Sequence, residues 1–141
     1  MQNYTGHGWE GKDYDRNLTM TEIAKRVKAQ LKETFPGCKF SVTSEYYAGG
    51  SSLHIYLMEA DFFVFVDGGI GHLQVNNYYI DKETDLTDWA KEVLKRAKDF
   101  AQSFNYDDSD GMIDYFSTNF YLHLNVGKWD RPFKMKEEVF T

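Results

Sequence analysis

The chain has 141 residues, a net charge of −6, and 42% hydrophobic and 17% aromatic residues. That length suits one domain and is short for two, and a chain of this size buries roughly two-thirds of its unfolded surface, enough for a core without staples. A lone cysteine, Cys38, excludes an internal disulfide framework and a Cys-based zinc cluster. The absence of a long apolar run and the polar N-terminus predict a soluble intracellular protein with neither membrane span nor signal peptide.

Residues 1–17 carry three glycines, mixed charge and no apolar period. They read as an irregular arm, pinned to the body by Trp9 and Tyr14, ahead of one domain over 18–141. A first helix is predicted from Thr19. Thr19 and Glu22 have capping-box spacing, in which hydroxyl and carboxylate satisfy orphan N–H groups. Met20, Ile23, Ala24, Val27, Leu31 and Phe35 follow at helical spacing. Pro36-Gly37 ends the run, because proline lacks an N–H and glycine accepts a left-handed turn.

Strand periodicity comes next. Phe40, Val42, Ser44 and Tyr46 alternate with Lys39, Ser41, Thr43 and Glu45. Gly49-Gly50-Ser51-Ser52 is expected to turn the chain back into a strand with Leu53, Ile55 and Leu57 on one face. Residues 62–66 are apolar on both faces and predict a central covered strand. Asp67-Gly68-Gly69 turns the chain again, and Leu73, Val75, Asn77 and Tyr79 predict a more polar strand near an edge. A second helix is predicted over 85–105, with Leu86, Trp89, Ala90, Val93, Leu94, Ala97, Phe100, Ala101 and Phe104 as its apolar face and Asp85 and Asp88 at its positive end. Phe120, Leu122, Leu124 and Val126 give a last strand. The order α-β-β-β-β-α-β predicts an α+β fold: an antiparallel sheet of about five strands with two helices packed on one face.

The charge is uneven. The two predicted helices sum to +2 and the remainder to −8. Acid gathers at the two ends of the second helix: Asp81, Glu83, Asp85 and Asp88 before it, and Asp107, Asp108, Asp110 and Asp114 after it. Such a helix is about 30 Å long, so the clusters belong to different places.

Few motifs carry chemistry. Asp107, Asp108 and Asp110 have the spacing that opens a calcium loop, but its twelfth position would be Thr118 and not Glu. They read as a turn after a helix, and no metal is expected. The glycine-serine turn lacks the lysine of a phosphate-binding loop. No HxxH or HExxH pair supports zinc. His54 and His123 are placed outward by strand alternation, and neither Ser51 nor Ser52 stands in a nucleophile elbow. A deep pocket holding either histidine beside a carboxylate would mark an enzyme. Cys38 reads as a small core residue. The tyrosines exceed what one inward face holds: Tyr46, Tyr47, Tyr56, Tyr78, Tyr79, Tyr106, Tyr115 and Tyr121 leave a surplus for a sheet face or a partner.

Several stretches resemble a known family when taken together: FPGCKFSV (35–42), YYAGGSSLHIYLMEA (46–60), QVNNYYI (74–80) and SFNYDDSDGMIDYFSTNFYLHLNVGKWDRPF (103–133), behind the helix TMTEIAKRVKAQLKETF. Over 18–133 the chain resembles one of the large polyvalent-protein-associated domain families. Such domains occur in big multidomain proteins of phages and conjugative elements, and also alone. The resemblance implies an α+β domain that travels with invading DNA and counters host defence. It implies no catalytic set and no cofactor.

Two functions are then expected. In the first, the protein is a non-enzymatic viral or mobile-element accessory in the bacterial cytoplasm. It inhibits a host defence protein, such as an RNA-guided nuclease, through Tyr106, Asp107, Asp108, Asp110, Asp114 and Tyr115, since an acidic patch meets a basic groove and displaces nucleic acid. In the second, it is a nucleic-acid-binding accessory domain. Its helix faces (Lys25, Lys28 and Lys32; Lys91, Lys95 and Lys98) hold phosphate while tyrosines stack on bases.

Overall fold

A computed structural model describes residues 9–68, 71–107 and 118–136. Strand β1 (Trp9–Glu10) is followed by helix α1 (Met20–Thr34), strands β2 (Lys39–Tyr47), β3 (Gly50–Ala60) and β4 (Leu73–Val75), and a 3-10 turn at Ile80–Lys82. Helix α2 (Asp88–Gln102) and strands β5 (Tyr106–Asp107), β6 (Tyr121–Val126) and β7 (Lys134–Met135) complete the order.

Helix α1 starts where the capping pattern places it. The Glu22 N–H donates to Thr19 Oγ1 at 3.1 Å, and that hydroxyl in turn donates to the Glu22 carboxylate at 3.1 Å. The carboxylate therefore closes on the hydroxyl and not on a backbone N–H. The helix buries Met20, Ile23, Ala24, Val27 and Leu31, and Leu31 alone is worth roughly 1.5–3 kcal/mol of apolar burial. Helix α2 is shorter than its apolar pattern. It begins at Asp88 behind the cap Thr87, whose Oγ1 accepts from the Ala90 N–H at 3.3 Å and donates to the Phe63 carbonyl at 2.7 Å.

The sheet corrects the expected topology. The strands run in the order β2-β3-β6-β4 with β7 beside β3, and the sheet is mixed. Pairing of β2 with β3 is antiparallel, as the glycine turn requires, and β4 with β6 is antiparallel too. Pairing of β3 with β6 and with β7 is parallel. Parallel pairing needs a long connection, and the one between β3 and β6 carries both β4, which runs opposite to each of them, and α2. A second small sheet joins β1 to β5. It fastens the N-terminal arm, as do the Gly11 N–H on the Asn105 carbonyl (2.8 Å) and the Asp13 N–H on the Ser103 carbonyl (2.7 Å).

The expected covered strand at 62–66 does not form. Phe65 makes a single bridge to Leu86, and Phe63 and Val66 are exposed. The apolar residues go to separate places: Phe62 meets Trp89 edge-on, Val64 enters the core, and Phe65 packs on Phe133. The fourth strand is also shorter than expected, because Asn77 and Tyr79 fall in the turn that follows it.

Helices and sheet share one core. Leu53, Ile55, Leu57, Leu122, Leu124 and Val126 face the buried stripes of α1 and α2. That orientation turns Glu45, Tyr47, Ser52, His54, Tyr56, Tyr121, His123 and Asn125 to the opposite side of the sheet.

Candidate functional site

No described helix packs on that opposite face. The register builds it in rows across the strands: Glu45, Ser52 and Tyr121; then Thr43, His54 and His123; then Ser41, Tyr56, Asn125 and Gln74. Side chains opposite one another on neighbouring strands lie close enough to interact.

The middle row is the most organised. The His54 and His123 rings stack with centroids 4.7 Å apart and planes 13° from parallel. His54 Nε2 lies 3.0 Å from Glu45 Oε1, and the Tyr56 ring lies 6.2 Å from His54. On the other side, Ser52 Oγ is 3.5 Å from His123 Nε2 and 2.9 Å from the Tyr47 hydroxyl. Lys128 Nζ sits 4.7 Å over the Tyr56 ring, a cation–π contact that anchors the far end. Burial holds the His123 pKa below the ordinary imidazole value; the His54 ring pushes the same way, and Glu45 opposes both.

This chain of contacts places rings; it does not assemble a hydrolase. Glu45 orients His54, whereas the serine touches His123, so acid, base and hydroxyl are not in series. Ser52 is only 2% exposed, and the Glu45 side chain is 57% exposed. The carboxylate that touches His54 therefore stands on an open surface, while His123 and Asp107 line one groove and His54 and Asp130 another. Among the described residues no group of three His, Cys, Asp or Glu side chains gathers to hold a metal. What the face offers is an array of rings and hydrogen-bonding groups, with Tyr47 and Tyr121 each more than two-fifths exposed.

A groove of about 520 Å³ borders the face. Trp9, Asn77, Tyr78, Asp107, Tyr121 and His123 are among its walls. Asp107 in β5 thus stands at the edge of the groove, and Tyr106 beside it in β5 is held edge-on by Tyr14 at 5.1 Å. Asp108, Asp110, Asp114 and Tyr115 lie outside the described residues. The six lysines do not form one surface. Lys91 Nζ donates to the Asp81 carbonyl at 3.3 Å and Lys98 Nζ to the Asn77 carbonyl at 2.7 Å. Lys95 is held by Asp81 and Glu92, whose hydrogen bonds raise its pKa, Asp81 contributing most. Lys25 is exposed on α1, while Lys28 and Lys32 line a different groove at the start of β2.

Sequence reasoning placed His54 and His123 outward but left them unconnected. The alternation of 45 and 47, of 52, 54 and 56, and of 121, 123 and 125 was available as a signal. The pairing of β3 with β6 was the missing piece.

The family model of large polyvalent protein associated domain 29 matches residues 18–123. The chain belongs to this family. Neither a curated protein nor a solved structure matches it. Membership ties the chain to the polyvalent proteins of phages and mobile elements. Among the described residues no helix is long and apolar enough to cross a membrane.

Proposed function

We propose that this large polyvalent protein associated domain is a non-enzymatic accessory of a phage or mobile element that docks on a host protein and inhibits host defence. The observation that carries the reading is the sheet face on which no described helix packs. Its tyrosines combine a large apolar area with a polar tip, and exposed Tyr is favoured at protein interfaces. The contacts through Ser52, His54 and His123 fix the side chains in advance, which lowers the entropy cost of docking. Asp107 stands on the rim of the adjoining groove, and Asp108, Asp110 and Asp114 follow it in sequence, a run of acid suited to a basic target. An RNA-guided nuclease, whose channel is basic, is the kind of target that fits.

Site-specific photocrosslinking tests this. A crosslinking residue at Thr43 on the face is compared with one at Lys25 on α1, in infected or conjugating bacterial cells. The reading expects one host protein crosslinked from Thr43 and not from Lys25, lost in Tyr47→Ala/Tyr121→Ala. Charge reversal of Asp107, Asp108 and Asp110 to lysine is expected to weaken the same crosslink. Equal crosslinking from both positions would sink the proposal. A second reading, nucleic-acid binding, is favoured by another part of the surface.

A further inference from the structure

On the far side of β2 the charge reverses. Two adjoining grooves, of about 360 and 510 Å³, share Lys28, Lys39, Phe40 and Glu59 as walls. Lys32 and Lys136 line the first, and Arg131 and Lys134 the second. Six bases thus surround the pair of grooves, in a chain whose net charge is −6. Glu59 is the only acid on the described walls, and Lys39 takes it at 3.8 Å. Asp61 stands close by, next to Cys38 and Gly37. Among the described residues none of the other five bases has an ion-pair partner. Lys28 and Lys32 are one helical turn apart, a like-charge spacing that costs helix stability. Three elements distant in sequence, α1, β2 and β7, converge to make this arrangement.

We propose that these grooves bind the phosphate backbone of a nucleic-acid strand, independently of the docking face. Five bases spread over two connected grooves exceed what one phosphate uses, and a phosphodiester chain meets them in succession. Their chemistry also chooses between polyanions. Lysine is a point charge suited to phosphates in series, and it is depleted in protein interfaces. One arginine among five lysines leaves little bidentate reading of bases, so binding is sequence-independent. The lysine faces expected from sequence are thereby divided. Lys28 and Lys32 belong to the site, and the α2 lysines, engaged by their own chain, do not.

Fluorescence anisotropy of the full chain with labelled 20-nucleotide single strands tests this, and it includes the charge of Glu137 and Glu138, which lie outside the described residues. If five bases each meet one phosphate, log K should fall against log salt with a slope of about −3.5. Lys28→Glu/Lys32→Glu/Lys136→Glu is expected to weaken binding at least tenfold, while Lys25→Glu/Arg26→Glu stays within about threefold. Circular dichroism melts show whether each variant is folded, and the milder Lys28→Gln/Lys136→Gln, expected to lose about threefold against no change in Lys25→Gln/Arg26→Gln, replaces a triple variant that is not. A labelled ten-residue glutamate peptide binding as tightly as the strand would overturn the choice of phosphate. Absence of strand binding at low salt, or equal loss in the α1 control pair, would overturn the site.

Discussion

Asn105 grips Phe120 at both of its backbone groups: its Nδ2 donates to the Phe120 carbonyl at 3.0 Å, and its Oδ1 accepts from the Phe120 N–H at 3.1 Å. The same side chain accepts from the Tyr106 N–H at 2.9 Å and donates to Gln102 Oε1 at 2.8 Å. One buried amide, 3% exposed, therefore fixes where the chain leaves α2 and where it enters β6.

Asn105→Ala is expected to be among the costliest single changes. It strips the partner from the buried Phe120 N–H and the part-buried Tyr106 N–H, while the Phe120 carbonyl keeps Thr118 Oγ1 at 3.2 Å; each group left unpaired costs about 1–3 kcal/mol. We expect a loss of about 3 kcal/mol by urea denaturation. Asn119→Ala, which removes one bond to the Phe104 carbonyl, should cost about 1 kcal/mol. Equal midpoints for the two variants would contradict the role assigned to Asn105.

Gly127 ends β6 at φ 70°, and a Cβ there would meet the Gly71 carbonyl oxygen and the Phe133 backbone nitrogen. Both the left-handed backbone and the collision oppose a side chain. Gly127→Ala should cost about 2–4 kcal/mol by the same measurement, whereas at Gly49 an added Cβ only touches the Tyr47 ring at 3.9 Å. Gly49→Ala is expected within about 0.5 kcal/mol of the parent.

His123 makes stability depend on pH in a stated direction. Its folded pKa lies below the ordinary imidazole value of 6.5, so near pH 6 the unfolded chain binds more protons than the folded one. Stability then rises with pH across the window between the folded value and 6.5, and is lost as pH falls through it. The neighbours that face His123 are His54, Glu45 and Ser52. Urea midpoints for His123→Asn between pH 5 and 8 should follow a flatter line than the parent's. Parallel profiles would remove His123 as the source.

Cys38 is expected to be a slow nucleophile. Burial raises its pKa from 9.0 to about 11, with the Asp61 charge adding to the rise and Lys136 opposing it. At pH 8 the thiolate fraction should be about 100-fold below that of a thiol at the unshifted value. Iodoacetamide labelling of the folded chain should lag that of the urea-denatured chain by at least that factor. Comparable rates would mean that the thiol is neither buried nor suppressed.

Local signals carried much of the fold. Thr19 and Glu22, Pro36-Gly37 and the apolar stripes place both helices, and the alternation on either side of Gly49-Gly50-Ser51-Ser52 gives the β2–β3 hairpin, although the turn itself is only Ala48-Gly49 and β3 already begins at Gly50. These features rest on contacts close in sequence. Residues 62–66 misled because apolarity on both faces has more than one cause: here Phe62, Val64 and Phe65 each reach a different neighbour while Phe63 stays in solvent. The antiparallel expectation failed for a related reason. Strand direction depends on what lies between two strands, and the path of the long connection from β3 through β4 and α2 to β6 is a tertiary property. The candidate site was half legible. Outward histidines follow from period-two alternation, whereas the contact of Ser52 with His123 depends on which strands meet. The basic grooves were hidden further still, since Lys28, Lys39 and Lys136 are neighbours only after α1, β2 and β7 have come together.

The parallel union of β3 with β6 bears on how the molecule is made as well as on what it presents. Ser52 and His123 stand 71 positions apart in the chain, and the pair closes only once everything between them has been threaded into place. Such distant partners raise contact order and slow folding. During synthesis β3 emerges long before its neighbour, leaving one side of the hairpin temporarily bare. A strand with unsatisfied amides invites other chains, so the interval before β6 arrives is when aggregation threatens most. The finished imidazole stack reports that this interval is over.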